Sequence, residues 1–445
     1  MDSNRPINRH RLIVPHPRLA RVAVDTTHGL SLPSVDTDAR HTADVDHVNA
    51  AVLQRYGTRV TVRCSLFHGE PRDGVVERVH VLEVHGETTL EWRAPQTLLG
   101  ELAGEDRRAL ERWLNAGGVV DGREWTEAGW YAQACDWIER QTRDAGLGAP
   151  VRIRQLRCWA TSCVIEVQCE IATVYFKALP KNGAVELTVT AWLSAEFPSI
   201  APRLIAVDAG RRWLLMHACP GRTLEEGDDV EVWAFAARRY GELQVACAER
   251  SDALQALGCP RRPIAALVPA MASLAADRAA LRCGAPDGIT EAELEQLQRS
   301  LPALQRRCAE LDAIGVADTL EHGDLWPGNV FVDQPSGACA IIDWEDAAIA
   351  HPFLGLAPLT VGLGLAGRAT PENVARVQQA YAAAFEPFGS GTRLRGEIAR
   401  AAPLCLLDMA VRYRTQRGSM VALHPWMRDL VPETVRLALE LLSGA

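Results

Sequence analysis

The sequence has no apolar run near the ~20 residues that a membrane span requires. Its first residues, MDSNRPINRHRL, lack the apolar core of a signal peptide. A cytoplasmic protein with no membrane partner is expected. Cysteine pairs are missing too: the twelve cysteines are scattered, and the closest group, Cys158, Cys163 and Cys169, has no C-x-x-C spacing. That pattern excludes a zinc or dithiol motif and predicts reduced core thiols. Concentrated positive charge is also lacking. With 47 Lys and Arg against 56 Asp and Glu, a formal net charge of −9 and no basic stripe, nucleic acid is not expected as a partner.

What is present is the composition of a globular protein, 48% hydrophobic and 23% charged, in a chain of 445 residues. This length exceeds what one core fills, so two or three domains are expected. Residues 1–120 read as a small α+β domain, with strand-like runs at 12–14, 21–24, 60–64 and 79–84 and helical spacing at 46–55 and 106–113. Its His68, His80 and His85 have no ligand spacing and read as solvated strand and loop histidines. No Arg-Glu precedes a paired-glutamate helix there, so nucleoside-diphosphate hydrolysis is not expected. The role of this domain and its partner are not legible. Residues 121–150 form a helical linker, whose Trp130, Ala134, Trp137 and Ile138 recur at helical intervals and are expected to pack against a neighbour.

From 151 to 220 strand-like runs follow one another, interrupted by one helical segment at 184–196. A small antiparallel sheet braced by a helix is predicted, suited to cover a nucleotide. Residues 221–445 are mostly helical, with apolar residues at three- and four-residue intervals over 230–249, 291–314 and 371–442.

Within that helical region lies one stretch of a different kind, residues 320–353, LEHGDLWPGNVFVDQPSGACAIIDWEDAAIAHPF. Two short apolar runs, 330–332 and 340–342, flank the turn residues 333–337 and predict a hairpin. The hairpin would bring Asp324 and Asn329, with His322 beside them, near Asp343. Two carboxylates and a carboxamide converging in this way suit an oxygen-ligated Mg²⁺ with one carboxylate left to act as base. Phosphoryl transfer from ATP leaves a protein mainly positioning and charge neutralisation to supply, and each component has a candidate. Asp324 is the base. Asn329, five residues on, and Asp343 are the metal ligands. Lys177, at the end of an apolar strand, is the phosphate cation, and Glu186 on the following helix is its partner carboxylate. The loop 157–162 would cover the phosphates; it has no glycine, but Thr161 and Ser162 offer hydroxyl and N–H donors. Met216 opens the segment 216–219, where backbone groups would hold the adenine.

HGDLWPGNVFV, IIDWEDA and the upstream YFKA together resemble the aminoglycoside phosphotransferase and choline kinase-like family of small-molecule kinases, over about 151–442. The resemblance implies a two-lobed protein-kinase-like fold, MgATP as donor and a hydroxyl of a small molecule as acceptor. It carries the base to Asp324, the metal ligands to Asn329 and Asp343, and the phosphate-binding lysine to Lys177. It departs at Gly355, where the family frequently has an Asp that would support the catalytic loop. The acceptor is less defined. From Glu345 to the end, nine acidic residues face ten arginines, a balance that does not favour a polycation. Asp408, Arg412, Arg414 and Trp426 are candidates for lining the acceptor site, with a solvated or interdomain face as the expected role for most of them. Two other readings stay open: a nucleotide-binding regulatory protein with an inactive kinase lobe, and a protein or glycated-lysine kinase.

Overall fold

The computed structural model describes residues 7–38, 41–117, 123–226, 229–416 and 425–443, and the side chain of Trp426 lies outside this set. By their contacts the residues form two compact units. One comprises Met1–Asn182, Ile205–His217 and Met420–Pro425, the other Gly183–Leu204, Ala218–Ser419 and Trp426–Ala445.

The first unit begins with a four-stranded sheet in the order Ser34–Asp38, Ile7–Ile13, Val75–His85, Arg59–His68. Ile7–Ile13 runs antiparallel to Ser34–Asp38 and parallel to Val75–His85, with Ile7 opposite Asp38 on one side and Val75 on the other. Leu12, Val62 and Leu82 project from this sheet and pack with Val48 and Val52 of the helix Asp46–Tyr56. The mixed pairing corrects the expectation for one histidine. His80 is not solvated: it is 2% exposed, and its two ring nitrogens lie 2.9 Å from Ser65 Oγ and 2.9 Å from His10 Nδ1. His10 in turn reaches Thr37 Oγ1 at 2.9 Å. Burial, then the neighbouring His80 and Arg78, press the His10 pKa far below the ordinary imidazole value. The two rings link two hydroxyls and supply each other's hydrogen-bond partner.

The same unit contains a five-stranded antiparallel sheet in the order Leu204–Asp208, Trp213–His217, Thr173–Ala178, Cys163–Cys169, Pro150–Cys158. The helix Trp130–Asp144 covers it through the stripe foreseen from spacing. Trp130 and Trp137 pack on Phe176 and Trp213, with ring centroids 5.6 to 6.0 Å apart and steep interplanar angles. Buried Gln155 joins the two sheets, donating to Val62 O and accepting from Val62 N, both at 2.8 Å. These tryptophans are core, as their helical spacing implied.

The second unit is built on the helices Ala184–Glu196, Val230–Cys247, Ile264–Ala276, Glu291–Asp312, Ala357–Leu365, Pro371–Ala383, Gly391–Gln416 and Leu430–Ser443. Glu291–Asp312 starts on a capping box, with Thr290 and Glu293 satisfying each other's backbone N–H groups. Trp233, Leu320, Trp344, Phe353, Tyr381 and Leu406 lie in one continuous core. Two small sheets are set into it. One orders Arg222–Thr223, Val330–Asp333 and Ala338–Ile341; the other orders Arg261–Arg262, Ala348–Ala350 and Thr319–Glu321. The hairpin predicted from 330–332 and 340–342 is thus Val330–Asp333 paired with Ala338–Ile341, Val330 opposite Ile341. The fold is α+β: a small antiparallel sheet and a helical region with an inset loop and hairpin, the two-lobed protein-kinase-like plan, preceded by a further α+β domain. The cysteines are free thiols, most of them buried.

Candidate active site

The stretch 320–353 is held at both ends by pairing. Thr319–Glu321 runs antiparallel to Ala348–Ala350, Leu320 opposite Ile349. Beyond the hairpin, Ile342 N donates to Asn329 O at 3.0 Å, so Asn329 and the residue before Asp343 lie side by side.

His322 is the peg between them. Fully buried, it places Nε2 2.9 Å from Ile342 O and accepts the Asp324 N–H on Nδ1 at 3.1 Å, while its ring lies 4.5 Å from that of Trp344. Its own N–H donates to the Tyr240 hydroxyl at 3.0 Å. Nε2 must carry the proton and Nδ1 must be bare, which is the neutral ring. Burial lowers the His322 pKa to about 4. His351, where the chain leaves the stretch, is also buried and lowered to about 4. Both rings titrate near pH 6.5 when unfolded, so the unfolded chain binds more protons between pH 6.5 and 4, and stability falls as pH falls through that window. The urea unfolding free energy is expected to be about 2 kcal/mol or more lower at pH 5 than at pH 7; equal values would show that these rings are not held neutral.

Asp324 is half-buried, and Tyr413 donates its hydroxyl to Asp324 Oδ1 at 3.2 Å. Asn329 Nδ2 donates to Asp324 O at 2.9 Å, which leaves its carboxamide oxygen to accept or to ligate. Gly323, between His322 and Asp324, has φ +85°, and a Cβ there would fall 2.5 Å from Asp346 O; only glycine serves this turn.

Asp343 adopts the left-handed conformation, φ 68° and ψ 55°. Among the described residues, Glu186, Asp343 and Glu345 bring one carboxylate oxygen each within 4.8 Å of one another. Glu186 is buried in the first turn of Ala184–Glu196, which packs on the turn Trp344–Asp346. Three carboxylates so close, with a carboxamide oxygen on the paired strand end, form a hard-oxygen set of the kind Mg²⁺ accepts. Spacing alone did not connect Glu345 with this group.

The remaining candidates lie in the first unit. Lys177 is half-buried in Thr173–Ala178, opposite Val164 and Leu214. Ser162 is 6% exposed, and its carbonyl accepts the Trp159 N–H at 3.1 Å. Met216 is half-buried in Trp213–His217, opposite Tyr175.

Asp408 and Arg412 do not line an open acceptor site. Arg412 is 7% exposed, donating to Asp408 Oδ2 and Asp346 Oδ2, each at 3.0 Å, and to Gly323 O at 2.5 Å. Burial works against its charge, but Asp408, Asp346 and Glu321 more than offset that and raise its pKa. Arg262 completes the network, 3.6 Å from Glu321 and 3.5 Å from Asp408. Arg414 lies at Ser273 Oγ, 3.2 Å, and Asp277, 3.7 Å. Sequence reasoning missed Tyr413 and Glu321; nothing local marks them, since Tyr413 meets a residue 89 positions away. Beside the loop, Glu225, Trp233, Trp326, Pro327, Gly362 and Leu365 line a cavity of about 240 Å³.

No curated protein matches this chain. Among solved structures it is similar to a macrolide 2'-phosphotransferase from Brachybacterium faecium, at 18% identity, with 68% of this chain and 98% of that chain covered and a TM-score of 0.46. It is also similar to a choline/ethanolamine kinase family protein from Mesorhizobium loti, at 14% identity, 70% and 94% covered, TM-score 0.47. A third is an aminoglycoside phosphotransferase from Streptomyces rimosus, at 19% identity, 60% and 97% covered, TM-score 0.35. The profile of the phosphotransferase enzyme family matches residues 169–398, just over half of the 445. The match includes Lys177, the loop at Asp324 and the hairpin to Asp343, and the chain belongs to the phosphotransferase enzyme family.

Proposed function

We propose that this protein transfers the γ-phosphoryl group of ATP to a hydroxyl group of a small molecule, in the cytoplasm, with Mg²⁺ as cofactor. The observation that carries the reading is the pegged loop. It presents the Asp324 carboxylate just before the first strand of the hairpin, with Asp343, Glu186 and Glu345 gathered just after the second, at the end where Ile342 N meets Asn329 O. Asp324 accepts the proton of the acceptor hydroxyl as its oxygen bonds to the γ-phosphorus and the bond to the ADP oxygen breaks. The Tyr413 hydroxyl keeps that carboxylate in one rotamer. Asp343 and the Asn329 carboxamide oxygen are the ligands for the metal, with Glu186 and Glu345 within reach. Bound Mg²⁺ supplies neutralisation of the phosphate charge. Lys177 is the cation for the phosphates, and Ser162 and Met216 are nucleotide contacts. In this reading residues 151–220 cover the nucleotide and 221–445 hold the catalytic loop and acceptor. The α+β domain of residues 1–120 precedes these, joined by the helical linker 121–150.

The cavity beside Trp326 is the proposed acceptor site. Its walls are mainly aromatic and aliphatic with one carboxylate, Glu225, which suits a compact acceptor with an apolar body and at most one cation. Among the described residues no helix is long and apolar enough to cross a membrane. The test is incubation with radiolabelled ATP, Mg²⁺ and an acceptor panel of small alcohols, amino alcohols and proteins. Labelled small-molecule product and ADP are expected, and Lys177→Ala is expected to lower kcat/KM for ATP by about 10- to 100-fold. An ATP-dependent rise in Tm with no transfer to any acceptor would replace this reading with a nucleotide-binding regulator. Labelled protein would turn it into a protein kinase.

A further inference from the structure

An acid stands one residue before the loop in an unusual place. Glu321 is 3% exposed, where carboxylates are rare. Its Oε1 accepts the Gly323 N–H at 2.8 Å, and its Oε2 lies 3.6 Å from Arg262 Nη2. The same carboxylate fills the space beside Gly355: a Cβ built there would lie 2.9 Å from Glu321 Oε1 and 2.8 Å from the Tyr240 hydroxyl. On the far side of the Gly323 residue, its carbonyl accepts from Arg412 at 2.5 Å. Both backbone polar groups of the residue bonded to Asp324 are therefore held by buried charged side chains, across a backbone turn with φ +85°.

We infer that Glu321 is a positioning residue for Asp324, acting through the Gly323 peptide, and that glycine at 355 is what leaves room for it. The inference rests on reading Asp324 as the base. The working element is the acceptor oxygen at 2.8 Å from Gly323 N, since the partner it holds is an uncharged N–H. Glutamine keeps such an oxygen, methionine keeps only length and bulk, and alanine at 355 displaces the carboxylate.

The reaction to follow is hydrolysis of γ-labelled MgATP by the full chain, with water in place of the acceptor. Glu321→Met is expected to lower kcat by about 10- to 100-fold, with KM for ATP changed less than about threefold. Gly355→Ala is expected to act in the same direction, and serves if the methionine variant does not fold. Glu321→Gln is expected to recover most of the loss. Hydrogen exchange read on peptides spanning 320–329 is expected to quicken at Gly323 in the Met and Ala variants and to stay slow in the Gln variant. Wild-type kcat and wild-type exchange in Glu321→Met would overturn the inference. So would a Gln variant as slow as Met, because charge would then matter and not the acceptor oxygen. If exchange responds as described but the wild type neither hydrolyses ATP nor transfers phosphate, the assignment of Asp324 as base fails while the hold of Glu321 on Gly323 stands.

Discussion

Asp324→Ala is expected to lower phosphoryl transfer at least ~10³-fold while leaving the fold and ATP binding in place. A positioned general base contributes roughly 10²- to 10⁴-fold, and in the proposed function the same carboxylate also orients the attacking hydroxyl. The loop itself does not depend on that side chain. Asp324 is fixed through its backbone, with its N–H on His322 Nδ1 at 3.1 Å and its carbonyl accepting from Asn329 Nδ2 at 2.9 Å. Truncation removes the hydrogen bond from Tyr413 at 3.2 Å, worth about 1 kcal/mol. Tm is therefore expected to move by only a few degrees, and the ATP-dependent Tm rise is expected to persist. Turnover unchanged from wild type would remove Asp324 from the chemistry. A collapse of Tm would instead mean that the carboxylate belongs to the scaffold.

Local pattern carried much of this architecture. The helix Ala184–Glu196 and the hairpin around 333–337 were legible because apolar period and turn chemistry are properties of neighbours in sequence. So was the burial of Trp130 and Trp137. Pairings between distant segments were not. No local signal says that Ile7–Ile13 runs parallel to Val75–His85, and the burial of His80 follows from that pairing. Strands as short as Arg261–Arg262 and Ala348–Ala350 have no readable period, yet they support the strand that leads into the loop. Arg412 reads as a solvated helix residue until Asp346 and Gly323 meet it from elsewhere in the chain. One compositional signal supports the role proposed for Lys177. Of the 47 basic residues only Lys177 and Lys181 are lysines. A chain that uses arginine almost everywhere keeps at 177 the compact ammonium that a guanidinium fork does not replace.

Asp343→Asn is expected to raise the Mg²⁺ concentration for half-maximal turnover at least about tenfold and to lower the maximal rate by roughly 10²-fold. The choice of asparagine follows from the backbone. Asp343 has φ 68° and ψ 55°, a region that Asp and Asn tolerate and where alanine costs about 1 to 2 kcal/mol. Asn therefore removes the charge and keeps the turn, whereas Asp343→Ala mixes a lost ligand with a strained loop and is expected to melt at lower temperature. The charge matters because Glu186 and Glu345 hold oxygens within 4.8 Å of the Asp343 carboxylate. A divalent cation binding the native state there stabilises it by mass action, so Mg²⁺ added to the wild type without nucleotide is expected to raise Tm. In Asp343→Asn that rise is expected to shrink or vanish. A full Mg²⁺-dependent shift in the variant would mean that the cation binds elsewhere. Loss of turnover with an unaltered Mg²⁺ requirement would make Asp343 an electrostatic neighbour of the phosphates and not a ligand.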